Sequence, residues 1–134
     1  MNIKIVLVDD DKVNLRFLEH FLTGNLFSVF IAHDGQTALE LVESVKPHIL
    51  ITDLVLPRMD GLNLCKRIKQ DPDLKQTKVI LMSAVYMGSA LSPAARECGA
   101  DGYVNKPIRT TELLEKIYKL QGEIDGSGGT KKPF

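Results

Sequence analysis

An aspartate closes an otherwise apolar run in Ile49-Leu50-Ile51-Thr52-Asp53, and Leu54-Val55-Leu56-Pro57-Arg58-Met59-Asp60-Gly61 follows it. Strand-forming residues thus deliver one carboxylate to the end of a buried strand, where an ionised group is tolerated if it faces a solvent crevice. Other strand-like runs end in equally polar groups. Ile3 to Val8 leads into Asp9-Asp10-Asp11, Val79 to Met82 into Ser83-Ala84, and Tyr103-Val104 into Asn105-Lys106-Pro107. If the first and third strands are neighbours, Asp9, Asp10 and Asp53 converge. Two carboxylates about 5 Å apart repel by about 3 kcal/mol at an effective dielectric of about 20, so three together invite a cation or a shifted pKa. A hard oxygen site suits Mg²⁺, which keeps several waters and uses one or two carboxylates. Lys106 supplies a positive point charge and Ser83 a hydroxyl, the groups needed to hold a tetrahedral dianion on Asp53. The chemistry indicated is phosphoryl transfer to Asp53, whose carboxylate is ionised at neutral pH.

Each residue also has a plainer reading. Asp11 reads as a helix N-cap rather than a ligand, and Asp9 or Asp10 alone would read the same way. Ser83 alone is a strand-end hydroxyl satisfied by backbone, and Lys106 alone is a solvated surface charge. Asp60-Gly61 is turn and cap chemistry. His20, His33 and His48 lack metal-ligand spacing and are expected at the surface. The weight lies in the combination.

These residues need a scaffold, and the pattern supplies one. Apolar runs at 3–8, 27–32, 49–52, 79–82 and 103–104 alternate with helical patterns. The first helix, from about Lys12 to Leu22, places Val13, Phe17 and Phe21 at i, i+4 and i+8, with Leu18 and Leu22 widening the stripe. The second follows Asp34 as N-cap, repeats Ala38, Leu41, Val42 and Val45, and ends before Pro47. The third starts on Asp60 and stops near Asp71-Pro72. Gly88, Ser89 and Ser92-Pro93 interrupt the region before Cys98, so a short helix starting at Ser92 is expected there. The last helix, roughly Thr111 to Leu120, buries Leu113, Leu114, Ile117 and one face of Tyr118. Alternating strands and helices imply right-handed crossovers and a parallel sheet covered on both faces. The expected fold is an α/β open sandwich, whose ligands bind beyond the carboxyl ends of the strands.

Bulk properties narrow the function. A chain of 134 residues fits one domain with a sizeable core. Its 17 Lys and Arg balance 17 Asp and Glu, which argues against direct nucleic-acid binding or an anionic membrane partner. Cys65 and Cys98 fall in helical segments far apart and read as small apolar residues of a reducing compartment. No apolar stretch reaches a membrane span and no signal-peptide pattern precedes the first strand, so a cytoplasmic protein without membrane insertion is expected.

Taken together, Val8-Asp9-Asp10, Asp53 to Gly61, Met82-Ser83-Ala84 and Tyr103 to Pro107 resemble the receiver domain of two-component response regulators, over essentially Ile3 to Leu120. The resemblance implies a flavodoxin-like, five-stranded parallel sheet of order 2-1-3-4-5, with residues 1–121 as the receiver domain and 122–134 as a flexible Gly-rich tail or linker. It implies that Asp53 is the phosphoacceptor and that Asp10 and Asp53 ligate Mg²⁺ directly. Asp9 would act mainly through water, and the Val55 backbone carbonyl would complete the protein ligands. Ser83, Ala84, Lys106 and Tyr103 match the phosphoryl-binding and switch positions, and Lys106-Pro107 a cis peptide. A sensor histidine kinase or phosphotransfer protein is the implied donor, chosen by the exposed side of the first helix near Asn14 and Leu15 and by the loop after Lys106. Output would use the face around the helix before Cys98, the fifth strand and the last helix, and any homodimer the face of those two helices.

The residues also bear on three other functions. A dehalogenase-like phosphatase would carry a second Asp two residues after its nucleophile, where Val55 stands. A pure interaction domain would not need the acids, Ser83 and Lys106 together. A nucleotide- or flavin-binding protein would carry a glycine-rich phosphate loop after its first strand, and there is none. The expected role is a signalling switch rather than an enzyme acting on an external substrate.

Overall fold

The computed structural model describes residues 2–84 and 97–126. Five parallel strands, β1 (Lys4–Val8), β2 (Ser28–Ala32), β3 (Ile49–Asp53), β4 (Lys78–Ser83) and β5 (Gly102–Asn105), form one sheet of order β2-β1-β3-β4-β5. Among the described residues, four helices connect or follow them: α1 (Lys12–Gly24), α2 (Gly35–Val45), α3 (Gly61–Gln70) and α4 (Thr110–Gly126). The short helix expected from Ser92 and Pro93 falls in 85–96, outside the described residues. No helix among the described residues is long and apolar enough to cross a membrane.

Period-two alternation sorts the strand side chains into two cores. Ile5, Leu7, Ile49, Ile51, Ile80, Met82 and Val104 face the layer of α1 and α4, meeting Leu15, Leu18, Leu22, Leu113 and Ile117. Val6, Val8, Leu50, Val79 and Leu81 face α2 and α3, meeting Ala38, Val42, Leu64, Cys65 and Ile68. Both faces are covered, which is why the strands read as unbroken apolar runs. Cys65 and Cys98 form no disulfide and are buried in the second core, where the Cys65 Sγ donates to the Cys98 carbonyl at 3.3 Å.

Helix starts follow the sequence. The Asp11 carboxylate accepts from the Val13 and Asn14 N–H groups, Asp34 from Thr37 and Asp60 from Asn63, so each caps its helix. The buried face of α1 departs from the sequence pattern. Val13 is 81% exposed and Phe17 53%, whereas Leu15, Leu18 and Leu22 are buried. Six apolar residues between 13 and 22 make two overlapping stripes, and the sheet takes the i, i+3, i+7 one. The last helix continues to Gly126 rather than ending near Leu120, because Ile124 packs against the first core and Glu123 pairs with Lys78 at 3.5 Å. Residues 127–134 of the expected tail lie outside the described residues. Tyr118 is half exposed, with its ring 6.2 Å from that of Phe27. His48, expected at the surface, is half-buried, and its Nδ1 accepts from the Lys4 N–H at 3.0 Å.

The end of α1 holds a strained residue. The Leu26 N–H donates to the Thr23 carbonyl and the Phe27 N–H to the Leu22 carbonyl, the paired bonds of a Schellman turn. Leu26 occupies its left-handed position with φ 72°, where glycine is favoured, and its side chain is 87% exposed. Left-handed backbone costs an ordinary residue roughly 1–2 kcal/mol, part of which glycine returns through its floppier unfolded state. Leu26→Gly is therefore expected to stabilise the fold by about 0.5–1 kcal/mol, read as a higher midpoint in urea with unchanged slope. An unchanged or lower midpoint would contradict the strain.

Candidate phosphoryl-acceptor site

The sheet order places β1 beside β3, with connections leaving to opposite sides, so a crevice opens beyond their carboxyl ends. The register pairs Val8 with Thr52 and Asp53 with Met82, which brings the residues after β1 level with the end of β3. Asp9, Asp10 and Asp53 meet there, each offering an oxygen within 4.8 Å of the others. Asp9 is fully buried, Asp53 is 8% exposed and Asp10 faces solvent. From the end of β5, Lys106 reaches across so that its Nζ lies 2.9 Å from Asp9 Oδ2 and 2.7 Å from Asp53 Oδ2. Residues from three separate strand ends thus share one charge cluster.

The loop after β3 is shaped around the Asp53 carboxylate. The Val55 N–H points to Asp53 Oδ1 at 3.4 Å, a long contact that leaves this oxygen weakly held. The Leu54 N–H donates to the Met82 carbonyl and the Gly61 N–H to the Leu54 carbonyl, folding the loop back onto the strand end. A Cβ at Gly61 would collide with the Asp53 backbone carbonyl, so only glycine lets α3 begin this close. The Lys106–Pro107 peptide is cis.

One cation cannot serve two buried acids equally. Burial pushes the Asp9 carboxyl upward, but hydrogen bonds from Lys106, the Asp11 N–H and Asn14 outweigh it and hold Asp9 below the usual range. Burial also pushes Asp53 up, and although the Lys106 bond and charge oppose it, the Asp9 charge adds to the rise, so Asp53 ends above the usual range. Burial alone would lower Lys106; the two carboxylates more than reverse this and hold its ammonium above the ordinary lysine range. Asp9, with three donors, is the fixed anion of the cluster, and Asp53 is the less satisfied one.

The other sequence candidates sit around this cluster. Ser83 is buried at the end of β4 and Ala84, just after it, is exposed. Tyr103 on β5 is half-buried against the second core. Val55 has a 76% exposed side chain, so it meets the site through its backbone. Leu15, expected on the exposed side of α1, is buried. Sequence reasoning missed the role of Asn14 inside the site: its Nδ2 donates to Asp9 Oδ2 at 2.7 Å. Its place three residues after the Asp11 cap, on the first turn of a helix rooted in the acidic run, was the available signal.

The donor set fits a small, hard divalent cation. It is all oxygen, two of its acids are buried against one lysine, and the third opens to solvent where waters would complete a shell.

Residues 5–118 match the family model of the response regulator receiver domain. The chain is 34% identical over 120 residues to Response regulator PleD of Caulobacter vibrioides, an alignment covering 90% of this chain and 26% of PleD. It has the same identity to Response regulator MprA of Mycobacterium tuberculosis, covering 90% of this chain and 51% of MprA. It therefore spans about a quarter of PleD and about half of MprA. Among solved structures, the signal receiver domain of a signal transduction histidine kinase from Syntrophus aciditrophicus superposes with a TM-score of 0.83 at 26% identity, covering 98% of this chain and 99% of that one.

Proposed function

Because the chain belongs to the response regulator receiver domain family of two-component signalling, we propose that it is a phosphorylation switch whose acceptor is Asp53. The observation that carries this reading is the cluster itself: Lys106 Nζ between Asp9 and Asp53, with Asp10 open to solvent beside them. In the proposed transfer, an Asp53 oxygen attacks the phosphorus of a phosphohistidine on a histidine kinase or phosphotransfer protein. The P–N bond breaks, its electron pair leaves with the imidazole nitrogen, and that nitrogen takes up a proton. Asp53 is left as an acyl phosphate. Asp10, Asp53 and the Val55 carbonyl would hold Mg²⁺, with Asp9 acting mainly through water. The ion would neutralise charge on the transferred phosphoryl oxygens.

This chain's own groups then take up the product. The Lys106 ammonium, shared between two acids in the resting state, turns to a phosphoryl oxygen, and the buried Ser83 hydroxyl and the Ala84 N–H offer further donors. Tyr103, half-buried on the edge strand, would repack as Ser83 moves. Such a switch shifts populations only as far as the phosphoryl contacts favour one packing, and going from 1:99 to 99:1 takes about 5.5 kcal/mol. The surface of β5 and α4 would carry the output.

Protein treated with acetyl phosphate and Mg²⁺ is expected to gain the mass of one phosphoryl group, and none in the presence of EDTA. No gain under either condition would overturn the reading.

The exposed ridge of α1 suits the donor protein. Val13 and Phe17 lie one turn apart and flank Asn14, so a docking helix would cover them while its phosphohistidine enters the crevice. Phe17→Glu is expected to slow transfer from a phosphorylated donor protein by about tenfold or more, the cost of losing a buried aromatic anchor. Its acetyl phosphate reaction should be unchanged, since that donor docks on nothing. Equal loss with both donors would place Phe17 in the fold rather than the interface.

A further inference from the structure

Asp9 Oδ2 receives two donors of different standing. Lys106 Nζ, 2.9 Å away, is shared with Asp53 Oδ2 at 2.7 Å. The Asn14 amide, 2.7 Å away, donates from the first turn of α1. An ionised carboxylate only accepts, so the NH₂ group of Asn14 must face it. The third donor, the Asp11 N–H at 3.0 Å, serves the other oxygen, Oδ1. Among the described residues, Asn14 is thus the donor to Oδ2 that does not depend on Lys106.

We propose that Asn14 is a positioning residue of the acidic site: it fixes the Asp9 carboxylate so that Lys106 can pass to the phosphoryl group and Asp9 stays turned toward the hydrated metal. The inference rests on Asp53 being the acceptor. When Lys106 turns to the phosphoryl oxygen, a buried Asp9 still needs a donor on Oδ2. With Asn14 in place it has one. Without Asn14, Asp9 competes for Lys106 and withdraws it from Asp53, and its carboxylate is free to rotate. Groups that orient a metal's ligands in this way are typically worth 10–100-fold in affinity or activity.

The test compares wild-type protein with Asn14→Ala and with Asn14→Leu, which keeps the bulk and removes the donor. Mg²⁺ affinity is measured by calorimetry, and the acetyl phosphate reaction is followed by intact mass across a Mg²⁺ series. Both variants should bind Mg²⁺ about 10–100-fold more weakly. Their half-saturating Mg²⁺ should rise by a similar factor, with a smaller loss of rate at saturation. Thermal melts report folding, and alanine favours this partly exposed helical position. Variants that fold and bind Mg²⁺ as wild type does would overturn the inference and leave Asn14 as a docking residue at most. A variant whose weaker binding only tracks a lost fold, while its partner variant binds normally, overturns it too. Wild-type protein that neither binds Mg²⁺ nor gains mass would instead overturn the parent reading, and this inference with it.

Discussion

Asp53→Asn protein is expected to take up no phosphoryl group from acetyl phosphate and Mg²⁺ under conditions that label the wild type fully. The substitution keeps the shape of the side chain but exchanges an ionised oxygen nucleophile for a neutral amide, and among the described residues no other carboxylate occupies the same place. Asp9 is fully buried and bound by three donors, and Asp10 lies at the outer, solvent side of the cluster. Labelling that persists in the variant would move the acceptor elsewhere.

The same variant carries a signed stability effect in metal-free protein. The Asp53 carboxyl sits above its ordinary range because of burial and the Asp9 charge, against the pull of Lys106. The folded state therefore holds the proton more tightly than the unfolded chain does. Ionising Asp53 costs stability as pH rises from the ordinary carboxylate range through the raised folded value. Asp53→Asn removes it. The variant should match or exceed wild-type stability at pH 7 with EDTA, with the gap closing as pH falls below about 4. Urea titrations at both pH values read this directly, and a gap that widens in acid would contradict it.

The second large effect belongs to Lys106→Met. The lysine side chain is 18% exposed and bridges one acid of 0% and one of 12% side-chain exposure, so removing it leaves two facing carboxylates without their cation. Breaking a buried ion pair by deleting one partner typically costs 3–5 kcal/mol; because this lysine retains some exposure, about 3 kcal/mol is expected. The elevated lysine pKa agrees in sign: its stabilisation is fully present below the ordinary lysine range and is lost only as pH rises through the folded value. In EDTA the variant should therefore melt about 10 °C below wild type. Mg²⁺ should recover much of the difference, because a cation that binds only the folded state stabilises it by mass action, and the variant's cluster repels itself more strongly. Wild-type and variant melts with and without Mg²⁺ make the comparison. A variant melting with the wild type in EDTA would show that the bridge carries no stability.

Several parts of the fold were legible because they depend on neighbours in the chain. Asp11, Asp34 and Asp60 cap helices through N–H groups two or three residues on, and Pro47 follows the left-handed Lys46 that ends α2. Two-residue alternation in β1, β3 and β4 maps directly onto the two cores. The polar residues at strand ends were legible for a related reason. A parallel sheet gathers its carboxyl ends on one edge, so Asp9, Asp10, Asp53, Ser83 and Lys106 could be assigned to that edge before any distance was known. The extra turns of α4 were not legible, because their anchors, Lys78 and the first core, come from far away in sequence.

By itself the sequence determined the element order, the sheet's apolar identity, the helix caps and the set of polar groups at one edge, because each follows from short-range periodicity or from the chemistry of adjacent residues. Only the tertiary structure decided which ridge of α1 is buried, since Val13-Phe17 and Leu15-Leu18-Leu22 are both acceptable helical stripes and the sheet's position selects between them. It alone decided that one lysine is shared by Asp9 and Asp53 and that Asn14 donates to the same Asp9 oxygen as that lysine. Those contacts join residues up to 97 positions apart. How a single ammonium divides itself between two carboxylates depends on distances and burial that no local pattern encodes.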